Sequence, residues 1–261
     1  MEVNKIYCEN CIDTMARMPD GFVDLTVTSP PYDGLRTYNG YSFPFKDIAK
    51  ELFRVTKDGG VVVWIVGDAT VKGSETGTSF KQALYFKECG FNLHDTMIYK
   101  KNNPIPNANT RYNQSFEYMF VFSKGKPKAI NLLRQPYKET TKKRNKYAIK
   151  IGFRQPDGEF KDRHSQPNIG DRVMDNVFYY TVGTGNSTKD NFAFKHPAIF
   201  PEQLANDHIT SWSNENDIVY DPFAGSRTTA KMAILNKRNY IGSEISKEYC
   251  EIAEKRINEN L

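Results

Sequence analysis

Phe22-Val23-Asp24-Leu25-Thr26-Val27-Thr28-Ser29-Pro30-Pro31-Tyr32 is the stretch on which the reading of this chain turns. Its first seven residues are mostly apolar or β-branched and read as a buried strand. Two prolines cannot continue a central strand, because neither can donate to a ladder, so the chain turns at Pro30. The turn sets a small hydroxyl, a stiff backbone with free carbonyls and an aromatic ring at the strand's C-terminal edge. Open α/β sheets bind ligands at that edge. A planar amino group can donate to Ser29 Oγ and to the Pro30 carbonyl while its ring stacks on Tyr32. Such contacts suit an exocyclic amine on a nucleobase.

Working outward, apolar patterning predicts strands at residues 3–7, 61–66, 91–99, 116–122, 217–221 and 240–244. Helical patterns fall at 12–18, 48–55, 80–89, 198–208, 228–236 and 247–258. Lys57-Asp58-Gly59-Gly60 reads as a helix stop, and residues 33–45 and 100–111 as loops, the second one mobile. Residues 124–190 show no clear period and read as an irregular insert. Strands alternating with helices imply an α/β fold with a mainly parallel sheet.

The C-terminal part holds a second organised stretch, Asp217-Ile218-Val219-Tyr220-Asp221-Pro222-Phe223-Ala224-Gly225-Ser226-Arg227-Thr228-Thr229. A strand ends at Asp221, Gly225 lets backbone amides come close to a ligand, and a helix opens at Thr228. Glu244 ends the next strand nineteen residues beyond Gly225. That is about the spacing at which an acid meets ribose hydroxyls. Dinucleotide-binding loops share this spacing, but a full G-x-G-x-x-G and a Walker lysine are both absent.

With 261 residues, one sizeable α/β domain with an inserted subdomain is expected. The net charge of +5 is unevenly spread. From Lys124 to Arg172 there are 14 Lys/Arg and 5 Asp/Glu, which leaves the rest of the chain net acidic. A basic segment of this kind suits phosphate binding, with Lys142, Lys143, Arg144, Lys146 and Arg154 as candidate contacts. A solvated lysine-rich loop is the competing reading. Cys8-x-x-Cys11 has no second pair at ligand spacing, so no metal is expected. No leader-like opening and no apolar run near the ~20 residues of a membrane span are present. The chain is expected to be cytoplasmic, with Cys8, Cys11, Cys89 and Cys250 reduced.

Thr28-Ser29-Pro30-Pro31-Tyr32 resembles the catalytic motif of the amino-group DNA methyltransferases. The stretch from Asp217 to Thr229 resembles that family's cofactor loop, and His196-Pro197-Ala198-Ile199-Phe200-Pro201, with Leu204 after it, resembles its other cofactor-side motif. The order catalytic motif, variable region, cofactor motif is that of the permuted β class. One departure is Arg227, where the family usually has glycine.

The resemblance implies a Rossmann-like methyltransferase fold with a mixed, mainly parallel seven-stranded sheet, the catalytic half at 1–127, a target-recognition insert at 128–190 and the cofactor half at 191–261. It implies S-adenosylmethionine, held by Asp221, Pro222, Phe223, Ala224, Gly225, Ser226, Thr228 and Glu244, with His196 and Phe200 toward the adenine. Ser29, Pro30, Pro31 and Tyr32 are then the catalytic set, acting on a base flipped out of double-stranded DNA. Asn10 and Asp68 are further candidates near the base or the cofactor. Serine in the tetrapeptide favours cytosine N4, with adenine N6 as the alternative. Methylation at the cytosine ring carbon needs a cysteine, usually in a Pro-Cys pair, and none occurs. A non-catalytic DNA-binding relative and an RNA or protein-glutamine methyltransferase are the competing classes. A cognate restriction endonuclease is a possible partner, and the chain is expected to be a monomer or homodimer.

Overall fold

The computed structural model describes residues 1–31, 43–103, 110–139, 150–164, 170–183 and 201–250. In chain order come β1 (Lys5–Tyr7), α1 (Cys11–Ala16), β2 (Val23–Thr28), α2 (Phe45–Val55), β3 (Thr56–Val66), β4 (Thr70–Val71), β5 (Ser74–Glu75) and α3 (Thr78–Glu88). There follow β6 (Asn92–Lys101), β7 (Phe116–Ser123), β8 (Arg134–Pro136), β9 (Lys150–Arg154), β10 (Phe160–His164), β11 (Asp171–Val173) and β12 (Val177–Tyr180). The chain then forms α4 (Glu202–Trp212), β13 (Ile218–Asp221), α5 (Thr228–Leu235) and β14 (Asn239–Ser243).

Eight strands form one sheet in the order β1-β14-β13-β2-β3-β7-β6-β12. Every pair from β1 across to β3 is parallel, β7 is antiparallel to both neighbours, and β12 is parallel to β6. β13 connects through α5 to β14 on one side, while β2 connects through α2 to β3 on the other. The chain therefore diverges between β13 and β2, which makes that gap the topological switch point where such sheets bind ligands.

Burial follows from the alternation of side chains along β3. Val62, Trp64 and Val66 pack with Met15, Ile48, Leu52 and Phe86 under α1, α2 and α3. Val61, Val63 and Ile65 are as fully buried and point to the opposite face. α2 reaches the core because Ile48, Ala49, Leu52 and Val55 share one face at helical spacing. Asn10 caps α1, its side chain accepting from Ile12 N at 2.9 Å.

All seven strands read from the sequence are present, and the sheet departs from that reading in one respect: β12 makes it eight-stranded. β12 lies in the stretch read as irregular, yet Phe178 and Tyr180 are buried while Val177 and Tyr179 are exposed. Four residues are too few for that alternation to stand out. β8 to β11 fall in the same stretch, and residues Leu132–Asp175 cluster as a compact unit separate from Met1–Asn131 with Asn176–Leu261. The helix stop at Lys57–Gly60 also needs correcting. The helix ends at Val55, β3 starts at Thr56, and the ladder to β2 slips between Val23 and Leu25. Gly59, at φ 81°, sits within that slip. Residues 32–42 and 104–109, and the helix expected beyond residue 250, lie outside the described residues.

A second correction concerns the cysteines. Cys8 and Cys250 form a disulfide across 242 residues of sequence, while Cys11 and Cys89 are free. The expectation of four thiols rested on compartment alone. Sheet pairing overrides it, because β1 lies beside β14 and Glu244 N donates to Tyr7 O at 3.0 Å. Cys8 directly follows β1, and the segment after β14 leads to Cys250 on the same side. Among the described residues no helix is long and apolar enough to cross a membrane, and no cluster of His, Cys, Asp and Glu suits a metal ion.

Candidate active site

β2 and β13 end side by side, with Leu25 opposite Val219 and Thr26 opposite Tyr220. Two hydrogen bonds then join the segments beyond. Thr28 Oγ1 donates to Asp221 Oδ1 at 2.7 Å, and Thr229 Oγ1 donates to the Val27 carbonyl at 3.2 Å. Each spans about two hundred residues of sequence, and both are buried. The Ser-Pro-Pro turn and the Asp221–Thr229 loop thus share one edge of the sheet. Pro30 is buried there, and Ser29 and Pro31 are half-buried. Tyr32 lies outside the described residues.

Asp221 is almost wholly enclosed. Its Oδ1 accepts from Thr28 and from Phe223 N, whereas Oδ2 has no hydrogen-bond partner among the described residues. Burial raises its carboxyl to about 6, against the neighbouring Thr28 and Thr229 hydroxyls and the Phe223 amide, which favour the ion. Pro222 is buried beside it, and the ring of Phe223 packs edge-on to Trp64 and Phe43.

The loop beyond is tied to the end of β14. Ala224 N donates to Ser243 O at 2.8 Å, and Gly225 N donates to Glu244 Oε2 at 2.9 Å. Glu244 Oε1 accepts from Ser246 N at 2.8 Å. One buried carboxylate therefore holds two turns together, while burial raises its pKa. Gly242 permits this approach, because a Cβ there would lie 2.9 Å from Ala224 Cβ and 2.3 Å from Ile6 Cδ1. Ser226 and Thr228 are buried in the same loop. Arg227, the departure from glycine, has φ 65° and is buried. For a residue with a Cβ this left-handed conformation costs about 1–2 kcal/mol.

Three further candidates make contacts of their own. Asn10 is engaged as a helix cap. Asp68 accepts from Ser79 N at 2.9 Å and from Ser79 Oγ, which ties it to the start of α3. Arg154 is exposed, its guanidinium 5.3 Å from the Phe160 ring centroid. His196, Phe200, Lys142, Lys143, Arg144 and Lys146 lie outside the described residues. The sequence reading missed a cleft of about 580 Å³ at the C-terminal end of β3, lined by Gly67, Asp68, Arg111, Gln114, Glu117 and Tyr118 among others. The run Arg111-Tyr112-Asn113-Gln114 just before β7 was the available signal: polar, hydrogen-bonding side chains next to a central strand.

Known proteins resemble this chain in sequence and in fold. A family model described as DNA methylase, of the N6/N4 type, matches residues 23–255. The orphan methyltransferase M.BamHII of Bacillus amyloliquefaciens is 62% identical over 241 residues, covering 91% of this chain and 89% of its own. The type II methyltransferase M.BglII of Bacillus subtilis is 28% identical over 261 residues, covering 96% and 68%. Among solved structures, the cytosine-N4-specific PvuII DNA methyltransferase superposes with TM-score 0.72 at 20% identity, over 98% of this chain and 86% of that one. The M1.HpyAVI–SAM complex does so with TM-score 0.65 at 23% identity, over 97% and 98%. At these identities the superpositions show the fold.

Proposed function

This chain belongs to the DNA methylase family of the N4/N6 type, a DNA methyltransferase that uses S-adenosylmethionine, and from that premise we propose that it methylates the N4 amino group of cytosine in double-stranded DNA. The observation that carries the site is the buried Thr28–Asp221 hydrogen bond, which joins the ends of β2 and β13 at the switch point, while the choice of cytosine rests on Ser29.

The residues present suit the cofactor. S-adenosylmethionine supplies an electrophilic methyl on a cationic sulfonium centre. Asp221 Oδ2, buried and without a hydrogen-bond partner among the described residues, is a group that a nearby cation would stabilise. In this reading Asp221, Pro222, Phe223, Ala224, Gly225, Ser226 and Thr228 hold the methionine part. Glu244 orders the loop through Gly225 N and keeps lone pairs for ribose hydroxyls. His196 and Phe200 flank the adenine.

An aromatic amine is a weak nucleophile because its lone pair is delocalised into the ring. Accepting its two N–H groups at Ser29 Oγ and the Pro30 carbonyl favours a tetrahedral nitrogen whose lone pair is free to react. Methyl transfer is a direct displacement, so orientation supplies much of the acceleration, and no covalent nucleophile is needed. The base must leave the duplex, at a cost of a few kcal/mol. Tyr32 stacks on it, and the cleft at the end of β3 offers it a wall of polar side chains. Serine in the tetrapeptide is what favours cytosine.

The insert at 128–190 then recognises the target sequence, with Lys142, Lys143, Arg144, Lys146 and Arg154 as phosphate or base contacts. The name of the M.BamHII relative, an orphan methyltransferase, supports action without a dedicated nuclease. The test is to incubate the protein with unmethylated duplex DNA and S-adenosylmethionine, digest to nucleosides and weigh the product. N4-methylcytosine is expected. N6-methyladenine would overturn the choice of base and leave the family chemistry in place.

A further inference from the structure

The compact unit at Leu132–Asp175 contains two antiparallel pairs, β8 with β11 and β9 with β10. The second pair is a two-stranded ribbon with five residues a side, from Lys150 opposite His164 to Arg154 opposite Phe160. Its turn is closed from within. Gln155 N donates to Glu159 O at 2.7 Å, Gly158 N to Gln155 O at 2.9 Å and Glu159 N to Asp157 Oδ1 at 3.0 Å. Gly158 takes φ 88°, which glycine adopts without strain.

At the turn end of this ribbon Phe160 is 68% exposed, with the Arg154 guanidinium 5.3 Å from its ring centroid. An isolated exposed apolar side chain needs no explanation. This one carries a stacked cation, and the pair sits on a hydrogen-bonded turn that limits its freedom. The ribbon is also almost electrically balanced. Residues 150–164 hold four basic residues, Lys150, Arg154, Lys161 and Arg163, and three acidic ones, Asp157, Glu159 and Asp162. A phosphate clamp needs surplus positive charge. A base reader needs a mixture: a guanidinium for guanine O6 and N7, carboxylates for the cytosine amino group, and an apolar surface for the thymine methyl. The turn end supplies all three, and a two-stranded ribbon is of a width that enters the major groove.

We propose that the β9–β10 ribbon reads base edges in the major groove, with Arg154 and Phe160 as specificity-determining residues. This rests on the reading of the chain as a duplex-DNA methyltransferase. It goes further by separating a base-reading element from the lysine-rich stretch at 142–146, whose charge suits phosphates.

The test compares wild type with Phe160→Ala, Arg154→Lys and Glu159→Gln. Each is assayed for the methylated sequence on plasmid DNA, for kcat and KM on that site, and for affinity toward S-adenosylmethionine. All three positions are exposed, and circular dichroism establishes that the variants are folded. For Arg154→Lys and Phe160→Ala the ratio kcat/KM should fall roughly 10- to 100-fold through KM. The set of methylated sequences should widen, and cofactor affinity should stay unchanged. Arg154→Lys keeps the charge, so the salt dependence of DNA binding should also stay unchanged. Unaltered sites and KM in all variants, or a loss that is equal on every sequence, would overturn the ribbon assignment. If wild type itself places no methyl on DNA, the underlying reading fails and not the ribbon alone.

Discussion

Asp221 is where the electrostatics of the site concentrate. Its folded carboxyl titrates at about 6 because it is buried, above the ordinary 3.8. Between those two values the folded chain binds more protons than the unfolded chain, so stability falls as pH rises through that window and does not recover above it. Asp221→Asn should therefore be more stable than wild type at pH 7, by about 1–3 kcal/mol, with the difference gone near pH 4. Denaturant titrations across pH check this, and the same variant should lose affinity for S-adenosylmethionine. Arg227 gives a second residue-scale prediction. Arg227→Gly and Arg227→Ala remove the same guanidinium and differ chiefly in tolerance of φ 65°. The glycine variant should be the more stable of the two by about 1 kcal/mol. A glycine variant no more stable than the alanine one would mean that the loop relaxes out of the left-handed conformation. The sequence flagged this position through its departure from the family motif, but only the dihedral angle gives the departure a cost.

Among the elements, β2 and β13 matter most, since the gap between them makes the site. Thr28→Val keeps the shape of the side chain and removes the donor to Asp221 Oδ1. A buried carboxylate left with one fewer hydrogen bond should cost about 1–3 kcal/mol at neutral pH, less at pH 4 where the group is protonated. Urea unfolding at the two pH values measures it; equal losses at both would show that the bond does not serve the charged form. The strands themselves were legible because β2, the 61–66 part of β3 and β13 are short apolar runs bounded by Gly, Pro or Asp, and β7 is a dense aromatic run. β12 was not, because Val177-Phe178-Tyr179-Tyr180 is apolar throughout and its alternation exists only once a sheet has two faces. The start of β3 was misread for a related reason. Gly59-Gly60 signals a break in any local reading, whereas a bulged ladder absorbs it.

The chain as a whole is closed by a bond that no local pattern could suggest. The Cys8–Cys250 disulfide pins the segment after β14 to the end of β1, beside the Glu244 that orders the cofactor loop. A cross-link over 242 residues removes much entropy from the unfolded chain, worth about 3–5 kcal/mol. Reduction, or Cys250→Ser, should lower the melting temperature by several degrees, and calorimetry with and without a thiol reductant would show it. An unchanged transition would mean that the bond adds nothing in solution.

The sequence by itself determined the α/β class, the seven core strands, the two motifs and the cofactor they imply. These are short-range properties, written in apolar period, in proline and glycine turns and in residue types set within a few positions of one another. Tertiary structure decided what depends on distant segments meeting. It put Thr28 against Asp221, engaged Asn10 and Asp68 as helix-end partners, drew the Glu244 carboxylate onto the Gly225 amide, added an eighth strand and paired Cys8 with Cys250. The physical reason is one of range. A hydrogen bond or a disulfide acts over a few ångströms, and only the sheet brings residues two hundred positions apart within that reach.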